Sequence, residues 1–198
     1  QLLGQLRREQ GDVDGALEAF ERALGRALLD PDHLLARGKA LVQKGMLLWR
    51  TGRVRASMEA AAEAIVIFRR TRHKGHEAHA LGVLGVALAH FGAYEDAIVV
   101  IQASLVLDRE VGDRLYLGRK VSNVGQLYAE VGDIQKAINF LERALKIYES
   151  LDDQSGQSDA LCAMAEVYAE HLGDLDEAER SIEKAQVIVD RVDDPYDR

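Results

Sequence analysis

A short glycine turn recurs at Gly11, Gly52, Gly92, Gly132 and Gly173, with spacings of 41, 40, 40 and 41 residues. Self-similarity at such a period marks a chain built from stacked copies of one small unit, none of which can bury a core alone. Five positions after each glycine stands a small residue: Ala16, Ser57, Ala97, Ala137 or Ala178. Four further on come Phe20, Ala61, Ile101, Leu141 and Ile182, and three beyond those Ala23, Ala64, Ser104, Ala144 and Ala185. Small residues at fixed steps let helices approach closely, and the bulkier set is expected to fill the space between them.

A second ladder precedes each turn: Gly4, Gly45, Gly85, Gly125 and then Ala165, where one extra residue before Gly173 accounts for the 41-residue step. A mid-helix glycine costs about 1 kcal/mol against alanine, so its recurrence implies a neighbouring backbone packed too close to admit a side chain. Around it, Leu81, Leu84 and Leu88 recur as Val121, Val124, Tyr128 and as Leu161, Met164, Tyr168, all on one helical face. Each repeat therefore reads as helix A, a glycine turn and helix B. Helices are expected near 1–9, 13–28, 34–50, 54–71, 75–91, 94–110, 114–131, 134–150, 155–171 and 175–191. The class is all-α. Only Pro31 and Pro195 occur, which argues against a turn-rich β chain, and 47% hydrophobic residues exclude intrinsic disorder.

The pattern resembles the tetratricopeptide repeat, whose helix A carries Leu-Gly then Tyr and whose helix B carries Ala, a bulky residue and Ala. The residues carrying the resemblance are Leu84-Gly85 with Ala97 and Ile101, Val124-Gly125 with Tyr128, Ala137, Leu141 and Ala144, and Tyr168 with Ala178, Ile182 and Ala185. The family's terminal proline is missing (Leu28, Arg69, Arg109, Glu149 and Asp190 stand there), Lys44 replaces the helix A leucine and Arg7 the tyrosine. The 40-residue period is similar to the longer variant of kinesin light chain and Pins-type arrays. The resemblance implies a right-handed α-solenoid of five repeats, near 1–33, 34–74, 75–114, 115–154 and 155–198, forming a single array without an internal boundary. A start at Gln1 and an end at Asp193-Asp194-Pro195-Tyr196-Asp197-Arg198 suggest a fragment of a longer protein.

Net charge is −8, which disfavours a nucleic-acid or anionic-membrane protein. The charge is uneven: residues 1–80 hold 14 Lys+Arg against 10 Asp+Glu, whereas 81–198 hold 11 against 23. The basic run Arg50, Arg53, Arg55, Arg69, Arg70, Arg72 and Lys74 lacks interleaved aromatics. The longest apolar run, Ala80–Ala89, is about half the roughly 20 residues of a membrane span, so no membrane insertion is expected. A lone cysteine, Cys162, permits no internal disulfide and fits a cytoplasmic protein.

Catalytic chemistry has no foothold in the sequence. No phosphate-cradling G-x-x-x-x-G-K-[ST] string occurs, and His73, His76 and His79 do not form H-E-x-x-H, so neither metal nor cofactor is expected. Cys162 has no activating base nearby in sequence and reads as a buried or semi-buried structural thiol. The chain is read as a non-enzyme.

The resemblance instead implies binding on a concave groove lined by helix A. The matching positions are Lys39, Gln43, Met46, Trp49 and Arg50 in repeat two, with Arg8 in repeat one; His79, Gly82, Val86, Ala89 and His90 in repeat three; Arg119, Ser122, Asn123, Gln126 and Glu130 in repeat four; and Asp159, Cys162, Glu166 and Glu170 in repeat five. They run from basic to acidic, so a partner peptide is expected to lay its acidic end toward repeats one and two. The Lys and Asn clamp some family members use for a C-terminal carboxylate is only partly matched by Lys39 with Gln43 and Arg119 with Asn123. On the opposite side, Val66, Val99 and Val106 form an apolar stripe that is either extra core or a docking and self-association patch. The leading reading is a non-catalytic scaffold for a peptide or partner domain. The alternative is a ligand-sensing module of a bacterial transcription regulator or protein kinase.

Overall fold

A computed structural model describes residues 13–27, 33–113 and 116–193. Helix 1–9 and the positions Gly4, Arg7, Arg8, Gly11 and Leu28, together with the Ala23 side chain, lie outside the described residues. The described residues are helical, without strands: α1 Val13–Ala27, α2 Leu34–Arg50, α3 Val54–Arg70, α4 Lys74–Phe91, α5 Tyr94–Val111, α6 Leu117–Glu130, α7 Ile134–Ser150, α8 Gln154–Glu166 and α9 Leu175–Asp193. Two compact units are formed, Gln1–Gly112 with α1 to α5 and Asp113–Arg198 with α6 to α9.

In the first unit, Phe20, Leu41, Ala61, Ala64, Phe68 and Leu81 form one buried cluster, with Leu84, Val100 and Leu107 packed on it. In the second, Leu141, Met164 and Val167 form another, with Tyr128 and Tyr168 against it. The turn glycines behave as the spacing required: Gly52, Gly92, Gly132 and Gly173 have φ of 77°, 86°, 81° and 66°, the left-handed region only glycine enters freely. The helix A glycines are closely packed, but the expected neighbouring backbone is not the nearest group: a side chain comes closer than any backbone atom. A methyl on Gly85 would run into Ile101, and one on Gly125 would lie 2.9 Å from Leu141 Cγ and 3.1 Å from the Ala137 carbonyl. Where the ladders hold serine, the buried hydroxyls are satisfied: Ser57 Oγ donates to the Gly45 carbonyl at 2.8 Å and Ser104 Oγ to the Ala78 carbonyl at 2.6 Å.

A third ladder lies at the far end of each helix pair. Phe68 packs where a side chain on Gly38 would stand, and Tyr148 where side chains on Gly118 and Gly156 would stand. In repeat three the same two places hold Asp108 and Ala78, both buried. A large ring thus meets glycine, and a smaller side chain meets alanine, as constant packing volume demands.

Three expectations are corrected. The helix expected over 155–171 changes at Val167 into a π turn, Val167–Leu172, which takes up the extra residue. After the glycine turn, the N–H of Arg53, Ala93 and Asp133 bonds back five residues, to Leu48, Leu88 and Tyr128; that of Asp174 bonds back six, to the corresponding Tyr168. Ile182, expected to fill the space between helices, is 56% exposed, and Ser181 is buried instead. Where Gly85 and Gly125 admit Ile101 and Leu141, this repeat has Ala165, which is also buried. Cys162 is likewise exposed rather than buried, because α8 turns Leu161, Ala163 and Met164 inward and leaves Cys162 on the other face.

Candidate functional site

In the first unit, helices α2 and α4 lie side by side and carry the basic part of the candidate face. Lys39, Gln43, Met46 and Trp49 on α2 are half-buried, and Arg50 is exposed. On α4, His79 and Val86 are half-buried and His90 is exposed. The two helices meet in an aromatic stack: the Trp49 and His90 rings lie 5.1 Å apart at 21°. Beside it, the Arg55 guanidinium sits 5.4 Å over Phe91, whose side chain is half exposed. Phe91 and Arg55 were not among the residues expected here, because Phe91 falls outside the family's groove positions on helix A and Arg55 lies on helix B.

The cations on this face differ from their neighbours. Arg37 pairs with Glu63, Lys44 with Glu21, Arg69 with Glu77 at 2.7 Å and Lys74 with Glu110 at 2.8 Å. Among the described residues, neither Lys39 nor Arg50 has a carboxylate partner. Lys39 instead acts on His76: burial lowers the pKa of His76, and the charges of Lys39 and His73 lower it further. His76 stands edge-on to Phe68 at 5.3 Å and 5.9 Å from the His73 ring, and His73 Nδ1 is buried without a hydrogen-bond partner. Among the described residues, no group of three His, Cys, Asp or Glu side chains could hold a metal ion.

In the second unit, α6 presents Arg119 and Gln126 exposed and Asn123 half-buried, and α8 presents Glu166 exposed. The Arg119 guanidinium stacks on its neighbour Tyr116 at 4.8 Å. Ser122, read as a groove position, is buried. On the B helices of the first unit, Val66 and Val99 are 65% exposed and Val106 51%, so this stripe is not extra core. Among the described residues, no helix is long and apolar enough to cross a membrane.

No curated protein matches the chain in sequence at a significant level. Several solved structures share its fold. BtubC (BKLC) from P. vanneervenii superposes with a TM-score of 0.82 at 23% identity, over 96% of this chain and 78% of that one. The nearly identical TPR-like repeats of kinesin light chain type from Podosopora anserina give 0.79 at 16% identity, over 96% and 92%. A Rap protein complexed with competence and sporulation factor gives 0.80 at 17% identity; this chain, 96% covered, spans 53% of its length. Tetratricopeptide-repeat sequence models match residues 2–69, 76–150 and 158–186, stretches that together span most of the chain and end close to its repeat borders. With the helix pairs and the turn glycines in the family's places, the chain belongs to the tetratricopeptide repeat family of protein–protein interaction scaffolds.

Proposed function

We propose that the helix A face of the first unit binds an extended, acidic segment of a partner protein, and that Arg119, Asn123, Gln126 and Glu166 form the corresponding face of the second unit. The observation that carries the reading is the pair of unpartnered cations, Lys39 and Arg50, on the same face as the stacked Trp49 and His90. Eleven residues of α-helix separate the two charges, about 16 Å at 1.5 Å per residue. An extended peptide covers that distance in about five residues, so two carboxylates at that spacing would reach both cations. Met46 and Val86 offer apolar contact between them, and the ring stack supplies a rigid anchor of the kind that dominates interface energies.

Trp49 is the only tryptophan, so its emission reports the site directly. Titration with an acidic peptide, acetyl-Asp-Glu-Leu-Ser-Glu-Asp-amide, should change that emission saturably, with an affinity that falls as salt rises. Joint charge reversal, Lys39→Glu with Arg50→Glu, should weaken binding at least tenfold. Equal affinity in parent and double variant would refute the proposal.

A further inference from the structure

The second unit carries a groove of its own, of about 550 Å³, between helices α7 and α9. Leu145 and Ile188 form its apolar walls and Leu161 of α8 its floor, while Val187 stands half exposed at the rim. Its polar members are Glu149, Gln157, Glu183 and Lys184.

The repeat makes an internal comparison available. Eighty residues earlier, the places of Glu149 and Gln157 are held by Arg69 and Glu77, whose ion pair at 2.7 Å bridges α3 and α4. In the second unit the arginine has become a glutamate and the glutamate a glutamine, so that bridge cannot form. Among the described residues, neither Glu149 nor Glu183 has an ion-pair partner. The groove therefore offers an apolar floor and two carboxylates, beside the single lysine Lys184, where the first unit supplies its own guanidinium. The surrounding unit is strongly acidic: residues 113–198 hold 19 Asp+Glu against 10 Lys+Arg, a field that draws in cationic segments.

We infer that this groove is a docking site for a basic partner segment in which one bulky apolar side chain stands next to arginine or lysine. The apolar side chain fills the space over Leu161, and the cation takes the role that Arg69 has in the first unit. The site shares no residue with the helix A face and opposes it in charge preference, so the protein can hold an acidic and a basic segment at once and bridge them.

The test uses the full chain labelled on Leu, Ile and Val methyls and three peptides: acetyl-Lys-Arg-Leu-Phe-Arg-Lys-amide, the same sequence with every base replaced by glutamate, and the same sequence with Leu-Phe replaced by Ser-Ser. The first peptide should shift the methyl signals of Leu145, Leu161, Val187 and Ile188 saturably, and the other two should leave them in place. Glu149→Lys with Glu183→Lys, both at exposed positions, should lower the affinity at least tenfold while far-UV circular dichroism stays unchanged; Val187→Asp, half exposed, provides a second variant with the same expected loss. Shifts located elsewhere, shifts caused equally by the acidic or the serine peptide, or unchanged affinity in both variants would overturn the inference. Loss of Trp49 emission changes with intact methyl shifts would refute the helix A face alone.

Discussion

The substitution Gly85→Ala separates packing from propensity. In an open helix, alanine in place of glycine gains about 1 kcal/mol. At Gly85 the added methyl would press into Ile101 Cγ1, lie 3.0 Å from its Cδ1 and 3.5 Å from the Ala97 carbonyl. Ile101 is 1% exposed and has nowhere to turn, and overpacking of this kind costs roughly 1–3 kcal/mol, here toward the upper end because the clash involves an inner atom of the side chain. The net expectation is a loss of about 1–2 kcal/mol. Gly45 occupies the same place one repeat earlier, but the residue corresponding to Ile101 is Ala61, and the nearest atom is Val83 Cγ1 at 3.3 Å. Gly45→Ala should therefore be neutral or stabilising by up to about 1 kcal/mol. Urea denaturation followed by far-UV circular dichroism measures both. A double-mutant cycle completes the case: Ile101→Ala costs about 2–4 kcal/mol by itself, yet in that background, which reproduces the Gly45–Ala61 pair of repeat two, Gly85→Ala should become stabilising. If Gly85→Ala alone is as stable as the parent, the ladder glycines are not there to admit the ladder side chains, and the packing argument fails.

Two further outcomes follow from the backbone and the charges. Arg72 and Asp152 hold left-handed φ of 56° and 54° at the turn where repeat three has Gly112, at 72°; Arg72→Gly should raise stability by about 0.5–1 kcal/mol and Gly112→Arg lower it by a similar amount, both visible as shifts in Tm. The lowered pKa of His76 means that the folded state resists the proton the unfolded chain accepts near pH 6.5, so stability should fall as pH drops below that value; His76→Gln should flatten this part of the stability–pH curve, and the His76 ring protons should titrate below 6.5 by NMR.

How far the sequence reaches depends on whether an interaction repeats. The helix pairs, the turn glycines and the close packing at Gly85 and Gly125 were legible because five copies display the same spacing, whereas Ile101 and Leu141 as the groups packed there were not. The match of Phe68 to Gly38 and of Tyr148 to Gly118 was also present in the sequence, but it changes chemistry in repeat three and so does not read as a ladder. Lys39, Trp49 and His90 were each placed on the helix A face, but the ring stack between Trp49 and His90 depends on the distance between two helices, which no spacing within either helix encodes. Ile182 was misjudged because repeat five departs from its siblings at Ala165 and at the π turn, and Cys162 because its burial was read from residue type rather than from the face it takes on α8. Periodicity transfers burial from one copy to the next only while the partner across the interface stays the same.

The π turn at Val167–Leu172 has a consequence for chain length. In an unbroken α-helix, one inserted residue rotates everything after it by about 100°, so the face that meets the next helix would be lost. Here the surplus is absorbed in six residues, and the Asp174 N–H still reaches the tyrosine place used by Leu88 and Tyr128 in the siblings. The end of helix A thus works as an expansion joint. A single-residue insertion at this point lengthens the repeat from 40 to 41 residues while the turn is kept and Ala178 and Ala185 of helix B stay buried in their expected places.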